Sequence, residues 1–318
     1  LPFQDDELGP AQAAYQQAVE KYPKFLRAWK NLGMIHVRLE QFDQAIEPLT
    51  RVIALGGGDG VSYGLLGFAY ASIGNDLSAE SAYRMAVLLD PGTLDWQMGL
   101  IRSFFHQQRF SDASALCATM LRKNPGSVDI WLLQANSFLG MGQAMEAAQN
   151  FELVDSLGGS TQESLNTLGD IYVNEELFEL ASGAYLRALQ GNPEAGVERA
   201  LYGAKVLVAR SADAHRLLDA LSQVEELSPA QHKDLLKLQA KVAVATGASE
   251  EEARLLNEIV QLDPLDGEAL LLLGQYHRLR EDPETAIFYF ERAASLEEFE
   301  ADAKVRHAQV LVSMAKYG

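Results

Sequence analysis

The side chains best suited to metal binding or nucleophilic attack are scattered through this sequence. Six histidines and one cysteine are present, but no histidine stands in an HExxH pattern or at a metal-ligand spacing from Cys117. A nucleophilic cysteine would also need a base beside it, and the sequence identifies none. We therefore predict no metal site and no cofactor, and we interpret Cys117 as a small buried residue.

Two further patterns could carry chemistry, but neither has the context that the chemistry requires. The glycine-rich run 56–60 would cradle a phosphate only after a strand and before a lysine, and it has neither. The carboxylate clusters 5–7, 250–252 and 297–298 lie near helix starts or in turns, where all of them are solvated. Catalytic carboxylates need environments that differ from one another. We expect that the chain is not an enzyme and has no catalytic residue.

Composition and charge narrow the classes of partner. The chain has 318 residues, 48% of them apolar, with 26 Lys and Arg against 44 Asp and Glu, so its net charge is −18. Such a chain repels phosphate backbones and anionic lipid, and no apolar run is long enough to span a bilayer. We expect no nucleic acid partner and no membrane insertion. The single cysteine excludes an intrachain disulfide framework but does not distinguish cytoplasm from periplasm.

The elements that would position any site follow from an internal repeat of 34 residues. Alanine recurs at every 34-residue step from Ala45 to Ala181, and a large or apolar residue such as Tyr83 follows four positions later. Apolar residues recur at helical spacing, and polar or glycine-containing turns and prolines such as Pro91 interrupt them. Each repeat therefore predicts two helices, with the alanine at their close contact and the large residue between neighbouring pairs.

The repeat resembles that of the tetratricopeptide repeat family, whose pattern is W-x2-L-G-x2-Y, then A-x3-F, then P. Trp29, Leu32 and Gly33 match the start of this pattern, and Asp90 and Pro91 match its end. The resemblance extends over nearly the whole chain and recurs in register. It implies an all-α fold, namely a right-handed α-solenoid superhelix of tetratricopeptide helix-turn-helix repeats.

The repeat also predicts the organisation of residues 1–318, which we interpret as a single solenoid. An orphan second helix at 8–22 precedes the full repeats, and an orphan first helix at 301–316 follows them. The full repeats are 26–59, 60–93, 94–127, 128–161, 162–195, 196–232, 233–266 and 267–300. The stretch 196–266 departs from the regular spacing, and we expect a bend there. Ser160 with Glu163, and Ser249 with Glu252, predict capping boxes that open helices.

In the tetratricopeptide family the first helix of each pair lines a concave surface that binds extended peptides or helices. The resemblance therefore implies that residues at repeat positions 2, 5, 9, 12 and 13 face a ligand. In the first three repeats these residues are mostly basic, apolar or aromatic, and the fourth and fifth repeats add three asparagines. The candidate peptide-binding residues are Arg27, Lys30, Met34, Arg38, Phe68, Met98, Arg102, Phe105, Asn136, Asn166, Asp170 and Asn174.

The composition of this surface predicts the chemistry of a partner. Basic residues on one face of an acidic protein favour an acidic peptide, and the neighbouring apolar residues favour an apolar anchor in it. Asparagine both donates and accepts hydrogen bonds, so it can hold the backbone of an extended segment. The alternative is an ordinary solvated surface. We do not expect the carboxylate clamp of heat-shock co-chaperones, because only Lys30 matches among its five positions.

Three functional classes stay open on the sequence. The first is a non-enzymatic scaffold that binds a protein or peptide segment in its groove, within a bacterial envelope or secretion assembly. The second is the recognition arm of a larger enzyme, for example a glycosyltransferase, whose catalytic domain is absent from this chain. The third, a small-molecule or metal enzyme, has no motif behind it. Because the chain begins and ends in half repeats, we expect it to be part of a longer protein, and its apolar end faces predict end-to-end self-association.

Overall fold

Helices make up all the regular structure that the coordinates describe. The structure is a computed structural model that describes residues 8–209, 211–246 and 249–317, and these ranges contain no strand. The predicted all-α class is confirmed. The chain divides into two compact units, Leu1–Gly159 and Ser160–Gly318. None of the helices within the described ranges is long and apolar enough to cross a membrane.

Unit 1 is a stack of helices that pack in chain order. Each first helix also touches the first helix of the next pair, so α2 contacts α4, α4 contacts α6, and α6 contacts α8. This stacking is that of a solenoid of helical repeats. The helices are α1 (Leu8–Lys21), α2 (Leu26–Arg38), α3 (Phe42–Ala54), α4 (Gly60–Ser72), α5 (Asp76–Leu89), α6 (Leu94–His106), α7 (Phe110–Leu121), α8 (Val128–Gly140) and α9 (Ala144–Ser156).

Unit 2 continues the same alternation of first and second helices. Here α10 contacts α12, α12 contacts α14, and α16 contacts α18. The helices are α10 (Gln162–Asn174), α11 (Phe178–Gly191), α12 (Pro193–Leu207), α13 (Ser211–Leu221), α14 (Pro229–Thr246), α15 (Ser249–Leu262), α16 (Gly267–Leu279), α17 (Pro283–Ala294) and α18 (Glu300–Tyr317).

The repeated alanines lie in the core of the helix pairs. All five are 0% exposed, namely Ala45, Ala79, Ala113, Ala147 and Ala181. The residue four positions later is buried in every case, at Leu49, Tyr83, Cys117, Phe151 and Tyr185. The predicted burial at these positions is confirmed. A methyl group lets the two helix backbones approach, and the larger side chain fills the space beside that contact at the density of a protein interior.

The ring of Tyr83 lies between two glycines on successive first helices. A Cβ on Gly67 of α4 would be 2.8 Å from this ring, and a Cβ on Gly99 of α6 would overlap it. The ring of Tyr185 in unit 2 has the same surroundings. The corresponding glycines there are Gly169 of α10 and Gly203 of α12. A side chain at these glycines would displace the ring, so their small size determines how closely the tyrosine approaches both helices.

Three first helices of unit 1 are tied to the preceding turn by the same hydrogen bond. In each, a side-chain N–H donates to the carbonyl oxygen of a proline six residues earlier, at 2.8 Å. The pairs are Trp29 with Pro23, Gln97 with Pro91, and Trp131 with Pro125. These prolines therefore serve as acceptors for the next helix as well as marking the turn.

The capping box of α10 lies one residue later than predicted, so the prediction of Ser160 with Glu163 is wrong. The backbone N–H of Ser164 donates to Thr161 Oγ1 at 3.1 Å, and the backbone N–H of Thr161 donates to Ser164 Oγ at 2.9 Å. This reciprocal pair satisfies two backbone donors and starts the helix at the residue after Thr161. The side chain of Ser249, in the other predicted box, lies outside the described residues.

Helices α12 and α14 begin before the repeat boundaries placed at 196 and 233. Asn192 ends α11 and also caps α12, where its Oδ1 accepts a backbone N–H at 3.3 Å. Ser228 caps α14 through a reciprocal pair of side-chain bonds. Pro193 and Pro229 follow these caps directly. Proline is favoured at the first helical position because its missing N–H is not needed there, so both prolines open helices.

A cluster of charged and aromatic side chains joins α5 to the turn before α7. Arg109 Nη1 donates to both carboxylate oxygens of Glu80, at 2.8 and 2.9 Å, and Arg84 and Gln107 donate to the same carboxylate at 2.9 Å. The guanidinium groups of Arg84 and Arg109 lie 5.1 and 4.7 Å from the Phe104 ring centre. Burial raises the pKa of Glu80, but these hydrogen bonds outweigh it and hold the pKa below its ordinary 4.5.

Replacing Ala147 by leucine tests the close helix contact. Because Ala147 is 0% exposed, the added atoms overpack the contact, and the free energy of unfolding should fall by roughly 1–3 kcal/mol. Urea denaturation followed by circular dichroism measures the change. The control is Gln149→Leu, which places the same side chain at an exposed position of α9. Equal effects of the two substitutions would contradict the close contact.

The Glu80 cluster should make the stability depend on pH. A carboxyl whose pKa is lower in the folded chain than in the unfolded chain stabilises the fold above the unfolded pKa. That stabilisation is lost as the pH falls through the folded pKa. The free energy of unfolding should therefore decrease when the pH is lowered below 4.5, the ordinary pKa of a glutamate such as Glu80. Glu80→Gln should lack this contribution and cost about 1–3 kcal/mol at neutral pH.

Urea denaturation at several pH values measures this effect, with the exposed Glu47→Gln as the matched control. A Glu80→Gln chain that unfolds like the parent at neutral pH, and with the same pH dependence, would show that the cluster does not stabilise the fold.

Candidate functional site

A cavity of about 520 Å³ opens among the first helices of unit 1. Residues of α2, α4, α6 and α8 form its walls, and Tyr83 of α5 contributes to its lining. We call it the unit 1 pocket. It brings together three of the predicted peptide-binding residues, which come from two different repeats. They are Phe68, Met98 and Arg102.

Phe68 forms an exposed apolar edge of the unit 1 pocket. The residue is 44% exposed, and its ring meets the ring of Phe42 edge to face with 5.4 Å between the ring centres. Phe42 is the first residue of α3, so an aromatic side chain of the preceding repeat holds Phe68 in its exposed position. A positioned aromatic ring beside a cavity is the arrangement on which binding hot spots depend.

Trp96 lies in the wall of the pocket with its indole N–H unsatisfied. Its ring packs on Gly64 of α4, where a Cβ would be 2.5 Å from ring atoms. The Nε1 atom is buried and has no hydrogen-bond partner in the part of the chain that the structure describes. The N–H groups of Trp29 and Trp131 instead bond to proline carbonyls. In this repeat Gln97, one residue after Trp96, makes the bond to the proline carbonyl that Trp29 and Trp131 make in theirs.

The Tyr83 hydroxyl lies within reach of two opposite charges. Burial raises the pKa of Tyr83 to about 12, while the charge of Arg102 lowers it and that of Asp95 raises it. The ring is 4% exposed, so Tyr83 is a neutral residue in the interior wall of the unit 1 pocket.

Three charged side chains surround the pocket, and none has an ion pair among the described residues. Asp95 and Arg102 lie on α6, seven residues and so about two helical turns apart. Asp129 lies in the first turn of α8. All three are exposed. Within the described ranges no cluster of His, Cys, Asp and Glu could hold a metal ion.

The other predicted residues of unit 1 lie outside the pocket lining. Lys30 forms an ion pair of 2.5 Å with Asp59, which caps α4. Phe105 packs edge to face on Phe110 with 5.1 Å between ring centres. Met34 is half-buried. The exposed members are Arg27, Arg38 and Asn136. The ion pair makes Lys30 less available to a ligand than the sequence indicates.

In unit 2 the predicted residues lie on α10, and one of them is used inside the fold. Asp170 accepts a hydrogen bond of 2.5 Å from the Tyr185 hydroxyl and forms an ion pair with Arg199. Burial, and then this hydrogen bond, raise the pKa of Tyr185. Asn166 is half-buried and Asn174 is exposed. Asp170 therefore stabilises the packing of Tyr185 instead of standing free towards a ligand.

Cys117 is confirmed as a small buried residue, and two histidines are also packed among other side chains. Cys117 is 0% exposed, and burial raises its pKa to about 12, which disfavours the thiolate that a nucleophile requires. His36 is 6% exposed, and its Nδ1 lies 2.8 Å from Gln41 Oε1. His277 stacks on Tyr289 with 5.6 Å between ring centres.

The last helix of unit 2 presents an apolar face to solvent. In α18, Leu311 is 48% exposed, Val312 is 55% exposed and Met314 is 42% exposed, whereas Val310 is 0% exposed. Such a face favours association. End-to-end self-association through it stays a prediction.

Fold and family together define a protein-interaction scaffold of helical repeats. The chain belongs to the tetratricopeptide repeat family, because a model of that repeat matches residues 9–60, 69–128 and 237–303, which is more than half of the chain. Proteins of this family are generally non-catalytic. A search of curated proteins found no match.

The chain is similar to several solved structures at low sequence identity. The C-terminal part of a TPR repeat-containing protein from Cytophaga hutchinsonii is 13% identical with a TM-score of 0.53, covering 85% of this chain and 95% of that one. MamA from Desulfovibrio magneticus is 13% identical with a TM-score of 0.48, over 52% and 93%. YrrB, a TPR protein with an unusual peptide-binding site, is 17% identical with a TM-score of 0.48, over 50% and 82%. At these identities the likeness is one of fold.

The sequence-based interpretation missed Trp96 and Tyr83 as parts of the pocket. Tyr83 was expected only as a core residue, and Trp96 had no predicted role. The available signal was Gly64, a glycine at the fifth position of its repeat, which is one of the positions predicted to face a ligand. A position without a side chain on that surface leaves room for a ring from the next repeat, and the Trp96 ring occupies it.

Phenylalanine substitutions at Tyr83 and Tyr185 should have different effects on stability. Tyr185→Phe removes the donor to Asp170 and should lower the free energy of unfolding by about 1–2 kcal/mol. Tyr83→Phe should change it by less than about 0.5 kcal/mol, because no hydrogen bond of that hydroxyl is seen among the described residues. Both variants keep the ring between its glycines, so each is the control for the other in urea denaturation. A larger loss in Tyr83→Phe would contradict the assignment.

Proposed function

We propose that the chain is a non-enzymatic adaptor that binds a protein segment at the unit 1 pocket. The observation that supports this is the convergence of Phe68, Met98 and Arg102 on one cavity of about 520 Å³. Cavities of this size are typical of ligand sites and admit one or two side chains of a bound segment. Their lining by apolar groups with a few charged ones is also typical.

The apolar side chains of the pocket supply the affinity in this proposal. Phe68 is 44% exposed in the free chain, and Met98 beside it is half-buried. A partner side chain that covers them removes apolar surface from water, and complete burial of one such side chain is worth about 1.5–3 kcal/mol. The Phe42 contact keeps the Phe68 ring in place, so less conformational entropy is lost when the partner binds.

Charge supplies attraction and orientation. Most of the surface of a chain with net charge −18 repels an acidic segment. Arg27 and Arg102 are exposed and have no ion pair in the described ranges, so they are places where an acidic side chain is attracted. Exposed charges of this kind mainly change the association rate, and salt screens them over about 8 Å at physiological ionic strength.

The asparagines have a separate role in the proposal. Asn136 in unit 1, and Asn166 and Asn174 in unit 2, would each hold the backbone of a bound segment through donated and accepted hydrogen bonds. The setting is also a proposal. We favour a bacterial envelope or secretion assembly, and the alternative is the recognition arm of a larger enzyme such as a glycosyltransferase. A catalytic domain in the same reading frame would decide for the alternative.

Substitutions at Phe68 and Arg102 test the pocket. The chain is used to select peptides from a displayed random library, and the binding rates of one selected peptide are measured by surface plasmon resonance. Phe68→Ala should weaken binding about tenfold, mainly through faster dissociation, because it removes apolar contact. Arg102→Glu should mainly slow association, and this effect should shrink at high salt.

The matched controls are an exposed phenylalanine and an exposed arginine on second helices, Phe288→Ala on α17 and Arg51→Glu on α3. Neither should change the rates. If Phe68→Ala and Arg102→Glu leave binding unchanged while Leu88→Ala on α5 abolishes it, the segment binds the second-helix surface and the proposal is wrong.

A further inference from the structure

We propose that the unit 1 pocket recognises the order of charges in the bound segment. In this proposal a basic side chain of the bound segment lies beside Asp95 and Asp129, and an acidic side chain of the segment lies beside Arg102. An apolar side chain sits between them, over Met98 and Phe68. This inference rests on the proposed function and adds the chemistry of the partner to it.

The spacing of residues on α6 places Asp95 and Arg102 at the two ends of one apolar stretch, and Asp129 of α8 lines the same cavity. Asp95, Met98, Gly99 and Arg102 follow one another at helical spacing, so they share one face of the helix, and all four line the pocket. Seven residues separate the carboxylate from the guanidinium, which corresponds to about 10 Å along the axis. An extended segment covers that distance in about three residues.

The charges around the pocket are not paired with each other, unlike several ion pairs elsewhere in unit 1. Elsewhere Lys30 pairs with Asp59 at 2.5 Å, and Arg109 pairs with Glu80 at 2.8 Å. Asp95, Arg102 and Asp129 have no ion pair among the described residues and are exposed around an apolar cavity. Their complements must therefore come from water or from a partner.

The surroundings of Tyr185 in unit 2 are equivalent to those of Tyr83, but there the neighbouring charged side chains are paired. There Asp170 accepts the Tyr185 hydroxyl at 2.5 Å and also pairs with Arg199, so this carboxylate is occupied. In unit 1 the residue after the first glycine is Phe68 instead of an aspartate. The Tyr83 ring packs in the same way, but the acidic and basic groups beside it are left for a ligand.

The arrangement discriminates among segments by repulsion as well as by attraction. A wholly acidic segment meets the carboxylates of Asp95 and Asp129, and a wholly basic segment meets Arg102. A segment with both charges in the reverse order meets like charge at both ends. The acidic peptide expected from the sequence is therefore refined to a segment that is acidic at one end of its apolar anchor and basic at the other.

Two peptide selections test this order. One uses the parent chain, and the other uses a charge-exchanged chain carrying Asp95→Arg, Asp129→Arg and Arg102→Asp. The probe is the same displayed library of random ten-residue peptides. The parent should enrich peptides that carry a basic and an acidic residue on opposite sides of an apolar residue, and the charge-exchanged chain should enrich the opposite order. Circular dichroism confirms that both chains are folded.

A second measurement needs only the parent chain. One enriched peptide is synthesised together with an isomer in which its basic and acidic residues are exchanged, so that the two have the same composition. The isomer should bind about 5- to 20-fold more weakly. The matched control chain carries Asp43→Arg and Arg51→Asp, an exchange of exposed charges on the second helix α3, and it should enrich the same peptides as the parent.

Two results would overturn the charge order. One is enrichment of a single sign of charge by the parent chain, and the other is equal binding of the two isomers. If the enriched peptides still lose affinity with Phe68→Ala, the proposed function stands and only the charge order is wrong. If no peptide is enriched in a Phe68-dependent way, the proposed function itself is wrong.

Discussion

The close contact between the two helices of each pair is the constraint on which the rest of this structure depends. An alanine that is 0% exposed lies in the second helix of each of the first five pairs, and the residue four positions later, large in four of the five pairs, is buried with it. Where that residue is tyrosine, as at Tyr83, it needs glycines on two successive first helices. Because the ring touches both helices, the same contact that holds one pair together also holds the next pair against it.

The unit 1 pocket follows from this packing. Tyr83 bridges α4 and α6, and Trp96 packs on Gly64 of the neighbouring first helix. The two rings occupy the space that is left open by glycines on the first helices, and the cavity lies beside the rings. The exposed ring of Phe68 then completes an apolar wall that faces solvent.

Units 1 and 2 use the same packing with different polar side chains. Tyr185 is held between glycines as Tyr83 is, but Asp170 and Arg199 form a closed pair beside its hydroxyl. Beside Tyr83 the charged groups point to no internal partner among the described residues. The fold is thus common to both places, and what differs between them is the few polar side chains placed on it.

The sequence by itself determined the 34-residue repeat, the two helices in each repeat, and the buried alanines and large residues. These features are local or periodic, so helical spacing and recurrence reveal them. The first residue of a helix was harder to predict, because the choice between two neighbouring capping residues decides it. Thr161 caps α10, where Ser160 was expected.

Only the tertiary structure decided which of the predicted binding residues meet. Phe68, Met98 and Arg102 converge on one cavity, whereas Lys30 and Asp170 are paired inside the fold. The ion-pair partners of these two residues, Asp59 and Arg199, each lie 29 residues further along the chain. Asp59 caps the next first helix, α4, and Arg199 lies within the next first helix, α12. A repeat pattern shows that a position faces the ligand surface, but it does not show which side chain of the neighbouring repeat reaches that position first.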